Sequence, residues 1–284
     1  MIDLWLAMLV MTLIGAFLFS ISYLICSKLK LLGKRIFAAI IVAVLVCFDV
    51  WLLDSRQILQ LLPFQATIVY GNFIIPLAAL LAGALWTFPK PLWRRLIFAL
   101  PVLTVAFGFN LQQMLRQTPS CGDKWENGVC LQTRQSSCSA AAAATFLYYH
   151  GIDTNEKEMA QLCLTTERGT YLHGLYRGLK IKTEDLPYKL QIGAANIDFL
   201  RQHGNLPIII SVKLTAQMNE WDPRYADKWG WIVDVEHTVV FFGFASENRI
   251  DIGDPGTGRE LWDLQALKDL WQGQYICLNR TETN

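Results

Sequence analysis

The distribution of apolar residues divides the chain in two. Four runs with almost no charge fill the first 115 residues: Leu4 to Cys26, Ile36 to Leu53, Phe64 to Phe88 and Leu96 to Met114. A membrane-spanning helix needs about 20 mainly apolar residues. The pattern therefore predicts four transmembrane helices, at about 4–26, 36–53, 64–88 and 96–114. The first run begins within MIDLW, with no basic stretch ahead of it, and is long for a signal peptide, so it is expected to stay as a helix. Asp49 is the one charge inside the four runs. It sits near the end of its run, which favours an anchor over a transport pathway.

After residue 116 charges return and the apolar runs shorten. The pattern predicts helices at 138–150, 155–163, 170–178, 196–203 and 263–271. Strands are expected at 206–213, 236–245, 249–253 and 274–279, with a further short strand after residue 178. PIIISV and HTVVFFGF are β-branched and aromatic with little alternation, as in central strands covered on both faces. Asp153 or Thr154 is expected to cap the second of these helices, with Glu158 in capping position. Residues 117–284 thus read as an α+β domain large enough for its own core.

Charge adds orientation. Lys28, Lys30, Lys34 and Arg35 lie between the first two runs, and Lys90, Arg94 and Arg95 between the last two; the opposite side has Arg56 alone. Basic loops stay in the cytoplasm, so both termini and the α+β domain are expected outside it, on a protein integral to the inner (cytoplasmic) membrane of a bacterium. A net charge of +1 gives no pull towards nucleic acid, and no phosphate-binding loop points to ATP. Membrane lipid and a peptide or protein substrate are the expected partners.

The seven cysteines separate by context. Cys26 and Cys47 fall in membrane runs, and Cys163 and Cys277 at core-like apolar positions. Cys121 and Cys130 bracket CGDKWENGVC and are placed to form a disulfide if they face an oxidising compartment. No CxxC pair exists and the histidines are scattered, so no metal or cofactor is expected. Cys138 is different. In QSSCSAAAAATFLYYHG it stands at the mouth of a helix, where partial positive charge favours a thiolate.

A thiolate nucleophile needs a base, and the base an orienting group. His150, His173 and His203 sit in helical contexts and read as structural. His237 opens HTVVFFGF, and Asp254 ends the next strand in IGDPGTG. A tight turn around Ser246 to Asn248 returns both ends to one side of the sheet. A straight hairpin would still leave His237 and Asp254 about three residues, roughly 10 Å, out of register. Twist, a bulge or a longer turn has to close that gap.

Four segments together carry a resemblance: LQTRQSSCSAAAAATFLYYHGI, ERGTYLHGLYRGLK, EHTVVFFGF and IGDPGTGRELWDLQALKDLWQGQYICL. They resemble the bacteriocin-processing, double-glycine cysteine peptidases, which are papain-like enzymes. The resemblance implies a papain-like domain with Cys138 as nucleophile, His237 as base, Asp254 orienting it, and Gln132 in the oxyanion hole. It implies peptide-bond hydrolysis through an acyl-enzyme, after a Gly-Gly-type site. Three features depart from the family. Ser137 and Ser139 flank the cysteine where the family has Asp and Gly, which is expected to narrow the site and to alter substrate contact. The domain lies C-terminal to the apolar region, with no nucleotide-binding domain, so any exporter would be a separate partner. TAQMNEWDPRYADKWGWIVDVE looks like an added loop at 215–235, covering the cleft, resting on the membrane interface or simply packed as an exposed loop. Two alternatives share these residues: a catalytically silent binding or assembly module, and acyl transfer through the same thioester.

Overall fold

The computed structural model describes residues 2–48, 74–88, 91–203, 206–221, 223–227 and 231–281. The chain divides into two compact units, 1–116 and 117–284.

The first unit contains α1 (Ile2–Lys28), α2 (Leu31–Cys47), α3 (Ile74–Leu85) and α4 (Leu92–Leu115). Each predicted run overlaps one of these helices. Residues 49–53, Arg56, residues 64–73 and Lys90 lie outside the described residues. α3 packs against α1, α2 and α4 and is mostly buried. Small residues allow that closeness. A Cβ on Gly83 would collide with the Phe19 carbonyl of α1, and one on Gly15 would meet the Cβ of Ala79 at 3.3 Å. Side chains absent at the seam let apolar helices approach. The other faces are equally apolar: Leu13 and Phe17 on α1, Leu32 and Val44 on α2, and Leu100 and Val105 on α4 are exposed. Among the described residues, one helix is both long and apolar enough to cross a membrane, at Leu4–Lys28. α2 has 17 residues and α3 has 12, and α4, with 24, does not pass the same test of length and composition, so the described residues support one span where the pattern predicts four.

The second unit has the predicted α+β character. A hairpin of β1 (Lys124–Glu126) and β2 (Val129–Leu131) turns through Asn127 and Gly128, with φ of 48° and 79°. Two consecutive left-handed residues make the tight turn that Asn-Gly favours. The chain then runs through α5 (Cys138–Tyr149), α6 (Glu156–Leu162), α7 (Leu172–Thr183), β3 (Tyr188–Ala194), α8 (Ile197–His203) and β4 (Ile208–Lys213). It continues with α9 (Ala216–Trp221), α10 (Arg224–Asp227), β5 (Glu236–Ser246), β6 (Arg249–Asp254), β7 (Gly258–Asp263), α11 (Leu264–Leu270) and β8 (Trp271–Arg280). Six strands form one antiparallel sheet in the order β3-β8-β4-β5-β6-β7.

The central strands are covered on both faces, as their composition predicts. Ile208, Ile210 and Val212 of β4 join Val239, Phe241, Ile250 and Ile252 in one core, closed by Leu267 and Leu270 of α11. On the other face lies α5, where Ala140 through Ala144 are completely buried. A helix buried all round carries no amphipathic stripe. Its alanines have no bulk beyond Cβ, so the axis lies close to β4 and β5, which it contacts.

Three local readings change. The α6 cap is Asn155, whose side chain accepts from the Glu158 N–H at 2.8 Å, while Thr154 donates to the Glu158 carboxylate. α7 extends to Thr183, beyond the predicted 178. GRELWD forms the edge strand β7, where the pattern predicts no strand.

Because Ala140–Ala144 of α5 are completely buried, Ala142→Leu is expected to destabilise the protein by about 1–3 kcal/mol through overpacking. Urea unfolding of the detergent-solubilised chain checks this as a lowered midpoint.

Candidate active site

Cys138 is the first residue of α5, and Ser137 is the residue that precedes the helix. What fixes this helix mouth is a buried carboxylate. Glu156, fully buried, accepts from Thr133 N–H at 2.8 Å, Thr133 Oγ1 at 2.8 Å, Gly122 N–H at 3.1 Å and Ser137 Oγ at 2.5 Å. The segment from 120 to 137 is wrapped around that one side chain. Four donors offset the loss of water around the carboxylate. Ser137 is thereby turned into the interior, away from any substrate, and this corrects the expectation that its replacement of an acid alters substrate contact. Gln132 belongs to the same segment. Its N–H donates to Pro255 O at 2.8 Å, and its side-chain oxygen is buried without a hydrogen-bond partner among the described residues.

His237 and Asp254 meet across β5 and β6. Near the turn, Ser246 faces Arg249; further along, Val240 faces Gly253, with two register shifts between. Each bulge inserts one extra residue into β5. Continuing the final register puts His237 across from Gly256, where an unbulged hairpin would put it across from Gly258. The two bulges cut the offset between His237 and Asp254 from four residues to two. Asp254 is then a diagonal neighbour of His237, and its Oδ1 lies 2.7 Å from His237 Nε2. With the carboxylate accepting, Nε2 is the donor and Nδ1 is left for the thiol. Gly256 N–H also donates to Oδ1 at 2.7 Å, and the Trp231 indole N–H to Oδ2 at 3.0 Å. Asp254 has 0% exposure, so protein donors replace water completely.

Cys138 and His237 act on each other electrostatically. Burial pushes the thiol up, but the hydrogen bond and charge of His237, with contacts at the Thr238 backbone and Ser139, hold it below its ordinary value. Burial pulls the His237 imidazole down, but the charge and hydrogen bond of Asp254, and then Cys138, raise it to about 10. Both directions favour a thiolate–imidazolium pair. The other cysteines of this unit behave oppositely: burial pushes Cys130 and Cys163 up to about 12 and Cys277 to about 11, and Cys121 is raised too. Cys121 and Cys130 are both buried free thiols.

Ser139 Oγ lies 2.8 Å from Thr238 Oγ1 and 4.0 Å from Cys138 Sγ. It joins the thiol-bearing helix to the histidine-bearing strand. A cleft of about 380 Å³ opens over Cys138 and Ser139, with Leu172 and Leu175 on one wall, Ile209 and Ile276 on another, and Ile232 and Val235 along the edge. The other histidines lie elsewhere: His150 packs on Phe146, His203 stacks on Phe199, and His173 is on α7. Sequence reasoning missed three contributors: Glu156, Thr238 and Trp231. Trp231 and Thr238 lay in segments that composition had marked, and Glu156 did not.

Residues 126–218 match the sequence model of the Peptidase C39 family. The match includes Gln132 and Cys138 and ends before His237 and Asp254. An uncharacterized protein from Methanothermobacter thermautotrophicus is 37% identical over 68 residues, 20% of this chain and 48% of the relative. The match thus spans about half the length of that curated relative. The peptidase domain of Streptococcus ComA, described as a bifunctional ABC transporter, is 18% identical with a TM-score of 0.41, covering 54% of this chain and 98% of that one. A double glycine motif protease from an AMS/PCAT transporter, in complex with its leader peptide, is 16% identical with a TM-score of 0.42, covering 59% and 96%.

Site-resolved alkylation of the intact protein across pH is expected to modify Cys138 well below pH 8, while Cys121, Cys130, Cys163 and Cys277 stay unmodified. His237→Ala is expected to remove the low-pH reactivity of Cys138, since burial is then opposed only by the lesser contacts at Thr238 and Ser139.

Proposed function

We propose that the second unit is a cysteine peptidase that hydrolyses peptide bonds with Cys138, His237 and Asp254 as its triad. The observation that carries the reading is the thiol at a helix mouth, beside an imidazole held by a fully buried carboxylate. The Peptidase C39 match supports it independently, through the segment holding Gln132 and Cys138.

In this mechanism the Cys138 thiolate attacks the scissile carbonyl, forming the carbon–sulfur bond of a tetrahedral intermediate. Its oxyanion is met by the Cys138 N–H, free at the first turn of α5, and by the Gln132 side-chain amide. Gln132 is tied through its backbone to Pro255, so the oxyanion group and the Asp254 turn are held together. The imidazolium of His237 protonates the departing amine as the carbon–nitrogen bond breaks, leaving a thioester on Cys138. Water then attacks the thioester, its proton passing to His237, and frees the acid and the thiol. Asp254 keeps Nδ1 of His237 directed at the sulfur and stabilises the charged ring.

The substrate is a peptide cleaved after small residues of the Gly-Gly type. Ser139 fills space beside the sulfur, which favours residues without side chains at the cut. The apolar walls formed by Leu172, Leu175, Ile209 and Ile276 suit an apolar stretch of peptide just before it. The resemblance to exporter-associated peptidases makes a separate exporter the natural partner for such a substrate.

The first unit anchors the enzyme in a membrane through four helices. The exposed apolar faces of α1, α2 and α4 support this, because soluble proteins rarely expose such extended apolar surface. The basic loops at Lys28–Arg35 and Lys90–Arg95 place them on the cytoplasmic side and the peptidase outside.

Peptides ending a leader-like segment in Gly-Gly are expected to be cut after the second glycine. Cys138→Ala abolishes cleavage, and Gln132→Ala lowers kcat by about 10²–10³ if it supplies an oxyanion donor. Activity rises as pH climbs through the lowered Cys138 value, because the thiolate forms. It falls as pH approaches about 10, where His237 loses its proton. A kcat/KM profile that rises only near an ordinary thiol value of about 8.5 contradicts this. Orientation is checked by a membrane-impermeant thiol reagent on intact cells: a cysteine introduced at exposed Lys157 is labelled from outside, and Lys30→Cys only after permeabilisation.

A further inference from the structure

Trp231 belongs to the tryptophan-rich segment before β5 and is 5% exposed. Its backbone N–H donates to Tyr225 O at 2.9 Å, and its ring packs against Tyr225 and Trp262 at centroid distances of 5.0 and 5.7 Å. It is therefore rigidly seated. Two contacts go beyond packing. The indole N–H donates to Asp254 Oδ2 at 3.0 Å, and the ring lies over the His237 imidazole with centroids 4.6 Å apart and planes inclined at 44°. His237 and Gly256 both occupy Oδ1. In a carboxylate closed to water, the indole is the donor that Oδ2 receives.

We propose that Trp231 is a positioning residue for the His237–Asp254 pair: its N–H fixes the carboxylate plane, and its ring seals the hydrogen bond and favours the imidazolium. This rests on the peptidase reading of the same site. A carboxylate held at both oxygens cannot rotate away from Nε2. An aromatic face beside a cationic ring attracts it, and a dry site strengthens that attraction. The adjoining Ile232 is exposed and lines the cleft, so one short piece of chain both braces the pair and forms the cleft wall. The titratable groups around the pair are Cys138 from α5, Asp254 from β6 and the Tyr225 phenol behind Trp231. Glu236, next along β5, is exposed and accepts from Ser211.

The test uses the full chain in detergent and compares Trp231→Phe with Trp262→Phe. Trp262 is equally buried in the same cluster but donates to Glu260. Both variants lose an indole from one core, so a purely structural role affects them alike. Trp231→Phe keeps a ring and deletes the donor. It is expected to slow Cys138 alkylation at pH 6 by about tenfold, the scale of one hydrogen bond to a charged group. It shifts the pH profile upward and lowers kcat on a Gly-Gly peptide without raising KM. Trp262→Phe keeps the profile. A wild-type profile in Trp231→Phe overturns the inference. A second readout is independent of whether the variant folds: in wild-type protein labelled with ¹⁵N-tryptophan, the Trp231 indole resonance is expected to move over the pH range in which Cys138 becomes reactive. A Trp231 resonance that stays fixed there also overturns it. If wild-type Cys138 itself titrates as an ordinary thiol, the peptidase reading fails; a Trp231 N–H resonance shifted by its carboxylate partner still reports the indole–Asp254 bond.

Discussion

Asp254 places a carboxylate where no water reaches it, and the geometry of the site follows from how it is satisfied. Burying such a group without partners is very unfavourable. Three donors replace the water: the His237 ring, the Gly256 N–H and the Trp231 indole. They come from strand β5, from the turn after β6 and from the segment before β5. Satisfying one side chain therefore fixes three stretches of chain relative to each other. The imidazole is oriented as a consequence, which leaves its other nitrogen for the thiol in the proposed mechanism. Glu156 does the equivalent work on the other side of the site, gathering the segment from Gly122 to Ser137 behind the thiol.

Glu156 and the Thr238 hydroxyl explain how the chain accommodates a serine on each side of Cys138. Ser137 is not a weaker version of an acidic neighbour; it points inward and donates to an acid supplied from α6. Ser139 is not simply an obstruction beside the sulfur, since its hydroxyl binds Thr238 and links the helix to the strand that bears His237. Both departures become internal hydrogen bonds, and the cleft above the thiol stays open.

Much of this was legible in the sequence, and the exceptions have a common cause. Long uncharged runs, the alanine helix behind Cys138 and the β-branched strands are local patterns, and local patterns survive reading one residue at a time. Cys138, His237 and Asp254 could be nominated because helix mouths and strand ends are recognisable. The approach of Asp254 to His237 could not be derived, because two bulges in β5 set the register and Gly243, the one residue of HTVVFFGFAS that hints at a bulge, marks only the first of them. Glu156 looked like an ordinary acid in a first helical turn, and its partners lie 19 to 34 residues away. Trp231 sat in a segment that composition marked as unusual, yet its partner lies 23 residues on. Asn127-Gly128 was a visible hairpin signal, masked by the flanking cysteines, which drew attention to a disulfide instead of to the turn.

The proposed peptidase activity turns on a covalent step at one sulfur, so the direct measurement is to trap it. Detergent-solubilised protein mixed with a leader-like Gly-Gly peptide, quenched in acid within seconds and measured by intact mass, is expected to carry an adduct equal to the N-terminal fragment. Peptide mapping places that thioester on Cys138, and Cys138→Ala forms none. An adduct on another residue, or neither adduct nor cleaved peptide across a range of apolar Gly-Gly leaders, contradicts the account and leaves the unit as a peptidase-like binding module.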